Sequence, residues 1–103
     1  MSPVKDKSLF DQLSDETWLE ITVFLNETES NFVDALSTRY PELSSKDIRF
    51  LMLVKLGFTN PELEKICLIS SQGIKQRLLN YKAKLGVDKN ISTREFILHH
   101  FRV

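Results

Sequence analysis

The side chains best suited to recognition chemistry lie in one segment, ICLISSQGIKQRLLNYKAKLGV, residues 66–87. Ile74, Tyr81 and Leu85 recur there at helical spacing, which leaves polar and basic side chains on the opposite face. A Gln amide can pair with two atoms of adenine, a Lys ammonium can reach guanine acceptors, and Ser or Lys can bind phosphate oxygens. The segment predicts a contacting helix over about 71–85, with the outward set Ser71, Gln72, Lys75, Gln76, Leu79, Lys82 and Lys84.

Charge is divided along the chain, although the formal total is zero. Residues 1–43 carry three Lys or Arg against nine Asp or Glu, whereas residues 44–90 carry nine against four. A basic segment beside an acidic one indicates a surface for a polyanion. Chance clustering of solvated charges is the alternative interpretation. Basic side chains that converge on one face would favour a polyanion surface, and scattered ones would favour chance.

The bulk properties fit one small domain. The chain has 103 residues, 42% of them hydrophobic, so the core it can build is small. The longest apolar run, residues 50–54, is far too short to span a bilayer, and no signal peptide is recognised. A single cysteine excludes an intrachain disulfide, so we expect a reducing, cytoplasmic setting.

Helix-start signals are frequent and strand signals nearly absent, so the sequence predicts an all-α fold. Ser44, Thr59 and Ser92 each precede an acidic residue by three positions, which is the capping-box arrangement or a near variant. Gly57 and Gly86 follow apolar periodic runs, where a left-handed C-cap is expected. The predicted helices cover about 15–40, 45–56, 60–68, 71–85 and 93–101.

The predicted helices divide the chain into three parts. Residues 1–13 are expected to be a flexible arm, residues 14–42 a long amphipathic helix, and residues 43–103 a helical domain. The long helix carries an apolar stripe that a single helix cannot bury. We expect the stripe to pack partly on the domain and partly across a two-fold axis of a homodimer, through Trp18, Ile21, Leu25, Phe32 and Leu36.

A very short connection joins the third and fourth predicted helices, as in a helix-turn-helix. The motif residues around it are Leu43-Ser44, Gly57, Asn60-Pro61-Glu62-Leu63, Ile69-Ser70, Ile74-Lys75 and Lys84-Leu85-Gly86-Val87. With these residues the span 43–87 resembles the LuxR/GerE-type DNA-binding domain of bacterial transcription regulators. In that family a Leu-Ser/Thr helix start leads through a glycine break to a scaffold helix, an Ile-Ser turn, a recognition helix and a closing Lys-Leu-Gly-Val.

The resemblance implies a four-helix core without a wing, and a regulator's output domain that binds double-stranded DNA as a dimer. It places Lys75 at the family's commonest base- or phosphate-contacting lysine and Gln76 beside it in the groove. Lys82 and Lys84 fall near positions that approach the DNA backbone. Neither a cofactor nor a small-molecule substrate is implied.

Two residues depart from the family pattern. Glu64 stands where alanine is usual, and Gly73 stands where threonine or serine usually helps to hold a phosphate. Because both lie at the joint of the two helices, we expect the missing side chain of Gly73 to make room for Glu64.

The main alternative is a protein–protein interaction module whose helix-turn-helix has lost DNA readout. An enzyme is not expected, because no phosphate-binding glycine loop, nucleophile–base pair or carboxylate pair is recognised. Cys67 occupies an apolar position and is predicted to be core. Glu95 and His99 lack the further ligands that a metal site would need.

Overall fold

In the computed structural model, which describes residues 7–101, the chain is all-helical and no strand occurs within that range. The predicted all-α class is confirmed. None of the helices in this part of the chain is long and apolar enough to cross a membrane. The helices are α1 Leu9–Gln12, α2 Asp15–Thr28, α3 Phe32–Arg39, α4 Ser45–Lys55, α5 Asn60–Cys67, α6 Ser71–Leu85 and α7 Thr93–Glu95, which continues as a π-helical turn, Phe96–His100.

Side-chain caps begin the helices at the predicted positions. Ser44 and Asp47 form a reciprocal capping box at α4: the Ser44 N–H donates to Oδ2 of Asp47 at 3.0 Å, and the Asp47 N–H donates to the Ser44 hydroxyl at 3.1 Å. Thr59 and Glu62 form the same box at α5. At α7 the Ser92 hydroxyl accepts an N–H at 3.0 Å. Each cap satisfies an N–H that the first helical turn leaves unpaired.

The prediction of one long helix over residues 15–40 is wrong. Helices α2 and α3 are separated by residues 29–31, in which Ser30 and Asn31 have φ angles of 54° and 60°. Two consecutive left-handed residues cannot continue a right-handed helix. The chain therefore changes direction between the two helices.

Asn26 stabilises this break. Its Oδ1 accepts the backbone N–H of Val33 at 2.9 Å and of Asp34 at 3.2 Å, so a residue of α2 caps the first turn of α3. The apolar spacing continues across the break because Phe32 and Leu36 of α3 enter the same core as α2. That continuity made two helices resemble one in the sequence.

Part of the segment expected to be a loose arm is ordered. Helix α1 lies within it, capped by the Ser8 hydroxyl, which accepts the Asp11 N–H at 3.0 Å. Phe10 is buried, and its ring meets the Trp18 ring edge-on with centroids 5.4 Å apart. Helix α1 also packs against α5. Residues 1–6, the rest of the expected arm, lie outside the described residues.

The apolar stripe of α2 and α3 is buried inside one chain. Trp18, Leu25, Phe32 and Leu36 are at most 2% exposed, and Ile21 is half-buried against the same core. The predicted intrachain packing is confirmed. Because Trp18, Leu25, Phe32 and Leu36 are already enclosed, they offer no surface to a partner, and the dimerisation role assigned to these four is corrected. The core that they join includes Phe50, Leu51, Val54, Leu63, Ile74, Tyr81, Ile97 and Phe101.

The last helical segment is held to the domain by polar contacts. The buried Thr93 donates its hydroxyl to the carbonyl of Leu78 in α6 at 2.6 Å. Arg94 donates to the Phe58 carbonyl and to Oδ1 of Asn60 at the start of α5. These bonds place α7 beside both α5 and α6.

The capping role of Asn26 can be measured directly. Asn26→Ala removes the acceptor for two N–H groups of α3 and should lower the free energy of unfolding by about 1–2 kcal/mol, at the upper end of capping effects. The control is Glu27→Ala, an exposed neighbour in the same helix. Urea denaturation of the two variants should separate them, and equal effects would contradict the capping role.

Candidate nucleic-acid interface

Helix α6 is held by one face. Ile74, Tyr81 and Leu85 are at most 4% exposed, and Leu78 is half-buried between them. The helix begins at the Ser70 hydroxyl, which accepts an N–H at 3.1 Å. Since the spacing of the inward residues fixes the rotation of α6, it also fixes which side chains point outward.

The connection between α5 and α6 is three residues long, 68–70. Leu68 closes α5 in a left-handed conformation at φ 53°, which is costly for a residue with a Cβ. The Ile69 N–H then donates back to the Glu64 carbonyl at 3.2 Å. Helices α5 and α6 pack closely on either side of this turn.

Five of the seven predicted contacting residues lie exposed on the first two-thirds of α6. Leu79 is 59% exposed, although it is a large apolar side chain. The Gln76 amide donates to the Asn80 amide oxygen at 3.1 Å, which orients it along the helix. By helical spacing, residues 72, 75, 76 and 79 share one face. The five are Ser71, Gln72, Lys75, Gln76 and Leu79.

Lys82 belongs to the same surface but is less free. It lines a small cleft together with Lys75 and Leu79. Its ammonium donates to the Lys89 carbonyl at 2.9 Å, which ties the loop after α6 to the helix.

Lys84 has a structural partner that the sequence did not indicate. Its Nζ lies 3.4 Å from Oδ2 of Asp47, whose side chain is only 15% exposed. An ion pair to a carboxylate this enclosed holds the ammonium against α4. This ion pair links α6 to α4, while the Lys84 side chain stays 45% exposed, so its DNA-contacting role stays a prediction.

Asp47 is the centre of a polar cluster between α4 and α6. The Tyr81 hydroxyl donates to its Oδ1 at 2.8 Å. Burial raises the pKa of Asp47, but donors outweigh burial, chiefly the Ser44 N–H and then the Tyr81 hydroxyl, and the net pKa lies below its ordinary value. Burial, followed by the bond to Asp47, raises the pKa of Tyr81. The cluster therefore holds an ionised carboxylate and a neutral phenol.

Arg77 is a further residue that sequence reasoning missed. Its Nε donates to the Tyr81 hydroxyl at 2.9 Å, and its guanidinium lies 4.7 Å from the centre of the Phe50 ring. The spacing of four residues between Arg77 and Tyr81 was a signal that could have revealed this pair. No comparable local signal existed for Asp47, which is 34 residues away from Tyr81.

The expectation that Gly73 makes room for Glu64 is wrong. A Cβ on Gly73 would overlap with Cγ2 of Ile69, and its other near neighbour would be the Ser70 hydroxyl. No atom of Glu64 is among the three nearest. The glycine accommodates the turn residue Ile69, because that side chain folds back over the first turn of α6.

The other candidate groups do not form a site. Burial raises the pKa of the half-buried Cys67 thiol, so it stays protonated near neutral pH. His100 lies 3.7 Å from the Glu95 carboxylate on an exposed surface. Among residues 7–101, no group of three or more potential metal ligands occurs.

The effect of a Gly73→Ala substitution on the free energy of unfolding should change sign with the residue at position 69. Gly73→Ala should destabilise the wild-type background by about 1–3 kcal/mol, as overpacking does. In an Ile69→Ala background the same change should stabilise the protein by about 0.5–1 kcal/mol, because only the helical preference for alanine over glycine remains. Chemical denaturation of the four proteins measures this coupling, and a purely additive cycle would contradict it.

Asp47 should give stability a specific acid dependence. Because its folded-state pKa is depressed, the ionised carboxylate stabilises the fold above its unfolded-state pKa, and this contribution is lost as pH falls through the folded-state pKa. Wild-type melting temperature should therefore fall more steeply than that of Asp47→Asn between about pH 5 and pH 2. Parallel curves for the two proteins would contradict this.

Comparison of the chain with protein-family models, with curated proteins and with solved structures finds no match. The resemblance of residues 43–87 to the LuxR/GerE-type domain therefore rests on its motif residues alone.

Proposed function

We propose that this chain binds double-stranded DNA by placing α6 in the major groove, with α5 and α6 acting as a helix-turn-helix of the LuxR/GerE type. The observation that carries the proposal is the exposed face of α6 formed by residues 72, 75, 76 and 79. It presents amide and ammonium groups about one helical turn apart. Helix α6 contains four basic residues and no acidic one. A phosphate-lined groove favours such a helix over the acidic α2.

In this proposal, each of the five exposed side chains of α6 matches a chemical group of the DNA major groove or backbone. Gln72 and Gln76 can each donate and accept, which matches the adenine edge, and Leu79 can contact a thymine methyl group. Lys75 has no ion-pair partner among residues 7–101 and can reach guanine or a phosphate. Ser71 stands in the first turn of α6, where free N–H groups favour a phosphate.

In this proposal the chain is an output domain of a bacterial transcription regulator. The short α5–α6 turn and the closing left-handed Gly86, with φ 68°, suit that domain type. Lys82 supports the backbone contacts. Lys84 would have to leave its ion pair with Asp47 to reach a phosphate, so its contribution is smaller.

A second candidate is supported by the apolar surface of the same helix. Leu79 is 59% exposed, yet it has no polar group to offer a base or phosphate. A cleft that continues from it along α6 is mostly apolar. This surface favours a protein partner, as the hypothesis of a protein–protein interaction module requires.

The DNA proposal is tested by fluorescence-anisotropy titration of a random duplex over several salt concentrations. Four to six phosphate contacts should give a log–log slope of about −4 to −5. Lys75→Ala should reduce the slope by about 0.9 if Lys75 binds a phosphate, or weaken a preferred sequence by about 1–3 kcal/mol if it reads a base.

Lys46→Ala is the matched control, since it removes the same charge from α4, where Lys46 lies 3.7 Å from Asp11. It should leave the slope unchanged. Absence of binding at low salt, or an equal effect of the two variants, would overturn the proposal and favour the interaction module.

A further inference from the structure

Helix α2 has a second, outward face that the core does not use. Leu19, Val23 and Phe24 are 61%, 46% and 54% exposed, and they lie within two turns of one another. Glu16, Glu20 and Glu27 are also exposed, and each lies three or four residues from one of these apolar side chains. Helix α2 contains no basic residue. This α2 outer face is therefore apolar at its centre and acidic at its edges.

A surface of opposite charge lies on the second half of α6. A shallow, open cleft there is lined by the apolar side chains of Leu79, Ala83 and Val87 and flanked by Lys82, Lys84 and Lys89. The bond from the Lys82 ammonium to the Lys89 carbonyl holds the loop in place along the cleft. This α6 cleft can receive several apolar side chains, and its lysines can meet carboxylates.

Charge decides which surfaces can pair. Two α2 outer faces would place glutamates against glutamates, and two α6 clefts would place lysines against lysines, and both arrangements are repulsive. An α2 outer face against an α6 cleft buries apolar side chains and brings opposite charges together. Both surfaces are exposed within one chain, so they do not cover each other there.

We propose that the α2 outer face of one copy docks in the α6 cleft of a second copy. The two surfaces differ, so the contact is heterologous, and each added copy keeps one free α2 outer face and one free α6 cleft for the next. Association is therefore head-to-tail, producing open chains or a closed ring. Apolar burial stabilises it, and salt weakens it because the edges are charged.

Self-association would compete with DNA binding, an inference that rests on the proposed function. The α6 cleft includes Leu79 and Lys82, which belong to the surface proposed to contact DNA. A copy whose cleft is occupied cannot place the same side chains in a groove. Self-association and duplex binding are then alternative states of one helix.

The test uses two variants of the full chain, without nucleic acid. Val23→Lys blocks the α2 outer face, and Ala83→Glu blocks the α6 cleft. Each protein alone should sediment with the mass of one chain, at concentrations where the mass of the wild type rises with concentration and falls with added salt. An equimolar mixture should sediment at twice the mass of one chain and no more, because each variant supplies the surface that the other lacks.

Thr38→Lys is the control, since it adds the same charge at an exposed position of α3 and should associate as the wild type does. Circular-dichroism melts establish that all four proteins are folded. A wild type that keeps the mass of one chain at high micromolar concentration overturns the proposal. So does an Ala83→Glu protein that still dimerises, which would show α2 pairing with itself, or a mixture that stays monomeric. A failed DNA titration leaves these masses unaffected, so the two proposals fail separately.

Discussion

The outward surface of α6 depends on one half-buried carboxylate. Asp47 accepts the Ser44 N–H that starts α4, the Tyr81 hydroxyl and the Lys84 ammonium, so it joins the start of α4 to two turns of α6. A helix held only by apolar packing can rotate slightly about its axis, whereas hydrogen bonds with fixed directions oppose that rotation. Because Tyr81 is fixed inward, Gln72, Gln76 and their neighbours are fixed outward. The orientation of the outward face of α6 is therefore set by contacts on its inward face.

Local signals in the sequence were sufficient wherever a feature depended on residues a few positions apart. The capping boxes at Ser44 and Thr59, the C-cap at Gly86 and the inward stripe of α6 are of this kind. The division of α2 from α3 was missed because apolar periodicity continues through it, and the evidence for a break lay in the polar side chain of Asn26. A pattern of burial shows which residues face the core, but it does not show whether the backbone between them is one helix or two.

The candidate site was predictable in its exposed half and not in its anchored half. Exposure follows from helical spacing, so Ser71, Gln72 and Lys75 could be assigned from the sequence. The fate of Lys84 depended on a carboxylate 37 residues away, and no spacing rule connects the two. The Gly73 error has the same origin: the neighbour that matters is Ile69, whose position depends on the left-handed Leu68 before it. In both cases tertiary geometry decided between candidates that the sequence could not rank.

The separation of charge gives the molecule two surfaces with opposite preferences. Since the total charge is zero, no long-range attraction draws the whole chain to a polyanion, and attraction must come from local basic surfaces such as that of α6. The carboxylates of α2 repel phosphates, which favours an approach with α6 foremost. Those carboxylates surround exposed apolar side chains, and the lysines near Leu79 surround an apolar cleft. Solubility alone would not require either apolar centre. Each charged surface of this chain therefore combines an apolar centre with charged edges, which is the combination that the proposed self-association would use.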